Sequence, residues 1–308
     1  MSIVSNTQLT ALRTGMQASF DQTYAKYEPK SFHGDVATEI ISDDAMETYG
    51  WLSDFPDMIE WVGPRTVKSM KENVYQIPNK DWESTVSVQR PTIMDDKFGT
   101  LTPRIRHMAQ AAAQHPETLI ANIMRQGHAL LCYDGQNYFD TDHPVFPNVD
   151  GTGVALTQSN YFEGTGPAWY LLSTSMPLKP FIFQRRMKPE FEQLTATSGG
   201  GPAFFDNAYH FGIYARHNVG FGFWQCAIKS TEALTTENLE KAEKAMMEFQ
   251  KDGLNPMGIM PDLLVVPPAL KAAGRRLVQT RTESGGGDNP LYDAFKLLTV
   301  PWLAQVGA

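Results

Sequence analysis

The stretch from Pro64 to Arg90 constrains this chain more than any other. Within it Trp82, Ser84, Val86 and Val88 alternate with Glu83, Thr85, Ser87 and Gln89, a period of two that fits a strand and no helix. Pro78-Asn79-Lys80-Asp81, just ahead, has turn chemistry: Pro fixes φ, and Asn or Asp favours a reversal. The pattern predicts a long hairpin over 64–90. Two strands alone are marginal in water, so such a hairpin needs a surface from elsewhere to lie on.

The rest of the chain alternates between helical and extended patterns. Leu9, Leu12, Met16, Phe20 and Tyr24 recur every three or four residues and predict an amphipathic helix over 6–27, capped by Asn6 or Thr7 and stopped by Pro29. Ile105, Met108, Ala109 and Ala112 form a second stripe, which Leu119, Ile120, Ile123 and Met124 continue beyond His115-Pro116. Pro116 predicts a bend or restart there, and Gly127 a stop. Helical periodicity is absent from 130 to 166. Short aromatic runs such as Trp169-Tyr170-Leu171-Leu172 and Phe181-Ile182-Phe183 predict strands between 168 and 229, with Ser198-Gly199-Gly200-Gly201-Pro202 as a loop among them. Thr236 is placed to cap a helix over 237–251, with Leu239, Ala242, Met246 and Phe249 inward and Glu237–Lys241 and Glu240–Lys244 paired outside. A buried strand at Leu263–Val266, a helix over 268–280, a Gly-rich loop at Ser284–Gly287 and a strand over 295–303 complete a mixed α/β chain without internal repeats.

Charge narrows the function classes. The formal net charge is -8 over 308 residues, whereas a dedicated nucleic-acid binder needs a basic surface to neutralise phosphates. Only 19% of residues are charged, which fits surface hidden in an assembly, since interface cores are depleted of charge. The charges are also segregated. Asp35, Glu39, Asp43, Asp44, Glu47, Asp54, Asp57 and Glu60 run from 31 to 60 without a Lys or Arg, and Arg65, Lys68, Lys71, Lys80 and Arg90 follow. Cys132 and Cys226 have no paired spacing, so no disulfide framework or zinc motif is expected and a reducing compartment fits. The start lacks the basic and apolar regions of a signal peptide, and no apolar run approaches the roughly 20 residues of a membrane span.

One segment looks like chemistry. Asp134, Asp140, Asp142 and His143 lie within Cys132–Pro144, and Asp with His can hold a divalent ion that activates water. A metal-dependent hydrolase using Asp140, Asp142 and His143 is the enzyme reading. The same Asp, Asn, Gly and Pro density is what a turn-rich segment needs for its backbone hydrogen bonds. No phosphate-cradling loop, nucleophile elbow or paired protease loop accompanies it, so no catalytic residue, metal or cofactor is assigned. Arg185-Arg186 with Lys188, and Arg275-Arg276 with Arg281, are the main basic clusters.

Several strings in order carry a resemblance. They are Thr48–Leu52, Phe55-Pro56, Glu60–Gly63, Arg65-Thr66, Asn79-Lys80, Trp82-Glu83, Asp95-Asp96, Cys132–Asn137, Phe139-Asp140, His143–Val145, Pro147–Gly153, Lys179-Pro180, Gly220–Gln225 and Leu264–Pro267. From about 48 to 267 the chain resembles the Mu-type phage major head subunits. The resemblance implies an α+β, HK97-like tailed-phage capsid fold with N-terminal arm, E-loop hairpin, P-domain with spine helix, and A-domain. It maps 1–45 to the arm, 46–63 to the start of the P-domain, 64–90 to the E-loop and 91–130 to the P-domain with its spine helix. It maps 131–233 to mixed P- and A-domain strands and loops, 234–282 to A-domain helices and strand, and 283–308 to a C-terminal segment. It further implies a non-enzymatic virion protein, assembled in the host cytoplasm, that forms hexamers and pentamers of itself; beside the hydrolase, the rival reading is another virion component, of the tail or of the decoration. Scaffold and portal proteins and, without sequence specificity, packaged DNA on the inner face are the expected partners; no membrane is. Asp35, Glu39, Asp43 and Asp44 of the arm, Arg65, Lys68 and Lys71 at the hairpin root, and Lys80 and Trp82 are the expected intersubunit contacts. Lys80 stands where some relatives carry a crosslinking Lys, and no crosslink is expected.

Overall fold

The structure is a computed structural model that describes residues 6–53, 75–95, 101–149, 151–194, 206–282 and 286–304. The N-terminal elements are α1 (Asn6–Tyr27), α2 (His33–Val36), β1 (Ala37–Ile41), β2 (Met46–Thr48), β3 (Gln76–Pro78), β4 (Lys80–Gln89), α3 (Arg90–Asp95) and α4 (Leu101–Gln126). The middle comprises β5 (His143–Val145), β6 (Leu156–Gln158), β7 (Tyr161–Phe162), β8 (Trp169–Leu172), β9 (Phe181–Leu194), β10 (Ala208–Phe221) and β11 (Ala227–Ser230). Then come α5 (Thr236–Met247), β12 (Gln250–Lys251), β13 (Asn255–Pro256), β14 (Leu263–Val266), α6 (Lys271–Gln279) and β15 (Lys296–Thr299). Two sheets carry the fold, one in the order β1-β9-β10-β4 and one in the order β15-β14-β8-β11-β7.

The expected reversal at Pro78–Asp81 does not occur. β4 pairs antiparallel with β10, from Gln89 opposite Ala208 to Lys80 opposite His217. β3 continues along the same strand: the Asn218 side-chain amide donates to Pro78 O (2.7 Å), and a Cβ on Gly220 would lie 2.2 Å from Ile77 Cδ1. Chemistry at Asn79 explains the difference. Its side chain donates to Ser42 Oγ and Asp44 O (2.8 and 2.7 Å) and its backbone N–H to Ala45 O, so it ties the strand to a neighbouring loop and closes no turn. The surface that holds the alternating strand is therefore β10. The long hairpin of the molecule is β9–β10; residues 64–74 and Ser198–Pro202 lie outside the described residues.

α4 is one helix across Pro116, where a bend or restart was expected. An interior Pro costs a helix about 3 kcal/mol, and here both flanks are held. Pro116 and Glu117 are buried, Glu117 Oε1 accepts from the Phe32 N–H (2.9 Å), and His115 reaches His217 of β10 (2.8 Å). The helix ends at Gln126, and at the following Gly127 a Cβ would meet the Phe139 ring at 2.7 Å. α5 begins one residue earlier than expected, with Thr235 accepting from the Asn238 N–H, and it ends at Met247, four residues short of the predicted stop. Its cations pair with Glu232 (Lys241) and Glu248 (Lys244), neither of them the predicted partner. The run over 295–303 divides into β15 and a 3-10 turn at Pro301–Leu303.

Apolar side chains gather in two clusters. The larger joins the five-stranded sheet, α5, α6, the C-terminal half of α4 and the inner ends of β9 and β10, around Trp169, Tyr170, Trp224, Tyr138 and Phe181. The smaller lies where α1 (Met16, Phe20) and the N-terminal half of α4 (Ile105, Met108, Ala109) cover Val88, Tyr209, Phe211 and Ile213 on one face of the other sheet.

Candidate functional site

Three of the strings that carry the family resemblance, Cys132–Asn137, His143–Val145 and Gly220–Gln225, meet in space. His143, fully buried, stacks on Trp224 at 4.0 Å between ring centroids and 8° between planes. Its Nδ1 lies 2.7 Å from Asp134 Oδ2, while Asp134 Oδ1 accepts from the Cys132 thiol and the Gln136 N–H (3.0 Å each). Buried Asn160 donates to the carbonyls of Tyr138, Trp224 and Ala227 and accepts from the Asp140 N–H, which binds this loop to β11. Tyr133 donates to Gln225 Oε1 (2.9 Å), and Tyr138 donates to Pro180 O (2.7 Å) and stacks on Phe221. Burial pushes the Asp134 carboxyl up, but the His143 ring and the donors from Cys132 and Gln136 outweigh it and hold the carboxyl below its ordinary value. Burial and Asp134 push the Cys132 thiol far up.

The hydrolase cluster does not assemble. Asp140 spends its carboxylate on the N–H groups of Asn137 and Thr141, which is the turn chemistry of the alternative reading. Asp142 is exposed, and its carbonyl accepts from the Gln136 side-chain amide at 3.5 Å. Among the described residues the metal-ligating group is Cys132, Asp134 and His143, whose ligand atoms lie within 4.8 Å of one another. These are already joined by their own hydrogen bonds. Cys226 is packed in the core, as its apolar run suggested.

The expected contact residues scatter over the surface. Asp35 and Asp44 are exposed, but Glu39 pairs with Arg185 and Asp43 with Arg186 of β9 (3.4 Å for the latter), so part of the acidic arm is answered within the chain. Lys80 is exposed. Trp82 is half-buried, donating to His217 O (2.8 Å) and meeting the His115 ring edge-on at 4.4 Å. Arg65, Lys68 and Lys71 lie outside the described residues.

Sequence reasoning missed two polar centres. His115, His217 and His33 converge around Phe183 and Arg185 where α2, α4 and β10 meet. Burial, then His115, Arg185 and His33, push His217 down to about 3. Lys229, 4% exposed, caps the end of α4 by donating to Arg125 O (3.1 Å) between the Phe139 and Tyr161 rings, and burial pushes it down to about 8. Lone His and Lys residues spread over two helices and two strands carry no spacing signal, and only the fold brings them together.

A chain of the bacteriophage JBD30 procapsid superposes with a TM-score of 0.84 at 44% identity, covering 97% of this chain and 99% of that one. The JBD30 capsid gives 0.73 at 36% identity, covering 89% and 91%. The class is therefore the tailed-phage major capsid protein, with the HK97-like mixed helix and sheet fold. The major capsid protein of Escherichia phage Mu is 38% identical over 98% of this chain and 100% of its own length, and the Haemophilus influenzae Mu-like prophage FluMu major head subunit is 37% identical over 93% and 94%. Residues 9–303 match the family described as Mu-like prophage major head subunit gpT; the chain belongs to that family and is a phage major head subunit, a component of the capsid. Among the described residues no helix is long and apolar enough to cross a membrane.

Proposed function

We propose that the chain assembles with copies of itself into the hexamers and pentamers of an icosahedral head that encloses double-stranded DNA. The observation that carries this reading is the match, along 97% of the chain, to a subunit of an assembled procapsid. The role is structural and not catalytic, in keeping with a buried polar knot whose groups are satisfied by one another. Assembly takes place in the host cytoplasm, with scaffold and portal proteins as partners and DNA met without sequence specificity. Residues 1–45 serve as the arm, 64–90 as the E-loop with β4 as its anchored strand, 91–130 as the P-domain with α4 as spine, and 234–282 as the helical part of the A-domain.

Each subunit of a thin shell should share more area with its neighbours than a standard interface of roughly 1,600 Å². Arm carboxylate Asp35 faces Arg65, Lys68 and Lys71 of adjacent subunits, Trp82 and Lys80 lie beneath them, Glu39 divides its charge between chain and neighbour, and Asp43 and Asp44 face a neighbouring subunit elsewhere. Expressed alone or with its scaffold, the purified protein gives capsomers or shells by negative-stain microscopy and light scattering; a stable monomer under all such conditions rejects the reading. Lys68→Glu with Lys71→Glu lowers assembly at low salt, where surface charges are least screened. Purified particles run as single subunits on a denaturing gel, without crosslinked ladders.

A further inference from the structure

The segment Ile41–Met46, which runs from the last residue of β1 to the first of β2, is exposed and tied down by hydrogen bonds. Ile41 is 77% exposed and Met46 44%, while the Asp43 side chain is 99% exposed and Asp44 is exposed beside it. Its backbone is pinned from three sides. Glu47 Oε1 accepts from the N–H groups of Asp43 and Asp44 and from Ser42 Oγ (3.1, 3.3 and 2.8 Å). Asn79 donates to Asp44 O and Ala45 O, and Arg186 to Ser42 O (3.1 Å). A loop that presents a bare Ile between carboxylates, already fixed in shape, has lost its conformational freedom before any partner arrives, and preorganisation of this kind favours binding.

The same molecule carries a matching surface on its other sheet. α6 exposes Lys271, Arg275 and Arg276 around Ala272, and Arg281 follows with its guanidinium 5.4 Å from the exposed Tyr292 ring. No carboxylate lies in this helix, and none of its cations is in an ion pair among the described residues. The four cations outnumber Asp288 and Asp293 of the following loop.

Building on the head-subunit assembly proposed above, we propose that the Ile41–Met46 knob of one copy docks on the basic face of α6 in a second copy. Ile41 packs against Ala272, and Asp43 and Asp44 meet Arg275 and Arg276, which stand one turn along α6 from it. Charge complementarity commits the knob to this partner, and opposite potentials raise encounter rate and fix register as well as affinity.

The test uses the full-length chain. Ile41→Asp with Asp43→Arg and Asp44→Arg is expected to lower shell yield about tenfold, as loss of a central anchor and two charges should, while the thermal midpoint of unassembled protein stays at the parent value. Arg275→Glu with Arg276→Glu is expected to fail similarly. Combining Asp43→Arg and Asp44→Arg with that pair, and keeping Ile41, is expected to restore assembly. Parent yield from the triple variant overturns the knob, and failure of the reciprocal reversal to restore shells overturns α6 as its partner. The parent protein, run in parallel, reads the assembly proposal separately: if it forms no shells, that reading fails and not this one.

Discussion

The two ends of β9 differ although they belong to one strand. Phe181–Gln184 are buried without interruption, whereas Arg185–Leu194 alternate half-buried and exposed. β10 shows the same division, with Asn218–Phe221 all buried and the outer half more open. The inner ends are covered on both faces by the larger cluster, and the outer ends on one face only, by α1 and α4. An alternating strand needs one cover, and a continuous apolar run needs two. The inner region should therefore hold its structure alone, and the outer slab should depend on the docking of α1.

The largest expected effect is in the inner region. Trp224→Ala removes the ring that stacks on His143 and meets Phe249 edge-on at 5.2 Å, and should cost about 3–5 kcal/mol by urea denaturation. A loss under about 1 kcal/mol would contradict the role given to that cluster. Next is the seam between the regions. His217 is held down near 3, so on acidification the unfolded chain takes up its proton first, near 6.5. The stability this neutral ring contributes is complete above 6.5 and is lost as pH falls towards 3. Burial likewise pushes His115 down, while Glu117, pushed up by burial, titrates in the opposite sense. The measurement is thus the difference in pH dependence between the parent and His217→Gln, expected to be on the order of 3 kcal/mol between pH 7 and 4.

In the outer slab Phe20→Ala should cost about 2 kcal/mol, less than a two-sided core site because the slab can relax around the gap. Its signature is local. Hydrogen exchange should rise in α1 and β4 while β8 and β14 keep their protection, and uniform loss of protection would erase the distinction between the regions. Smallest is Thr235→Ala, which removes the N-cap of α5 and should lower the thermal midpoint by the equivalent of about 1 kcal/mol.

The same contrast explains what could be read in the residues. α1, β14 and the alternation of β4 follow from local periodicity, and the structure has all three where expected. Pairing does not follow from it. Asn79 has the chemistry of a turn, but its amide found carbonyl and hydroxyl partners in a loop 35 to 37 residues earlier in the chain. Pro116 reads as a break until one sees the contacts that Glu117 makes with Phe32 and His115 with His217. The segment from Cys132 to Pro144 reads either as a metal cluster or as turn chemistry, and the backbone hydrogen bonds of Asp140 agree with the second. Its wiring, with Asp134 joined to His143 and Asp140 given to backbone, depends on where Trp224 and Asn160 arrive. The arm's charges are legible, but Arg185 and Arg186, which pair with Glu39 and Asp43 within the chain, are not.

Helix α4 touches both clusters, and at 26 residues it is about 39 Å long. It works as a continuous beam, clamped at its middle by Glu117 and His115. Load on one cluster should therefore pass along the helix to the other, and a shell made of such pieces should yield at the joints between subunits before its members buckle.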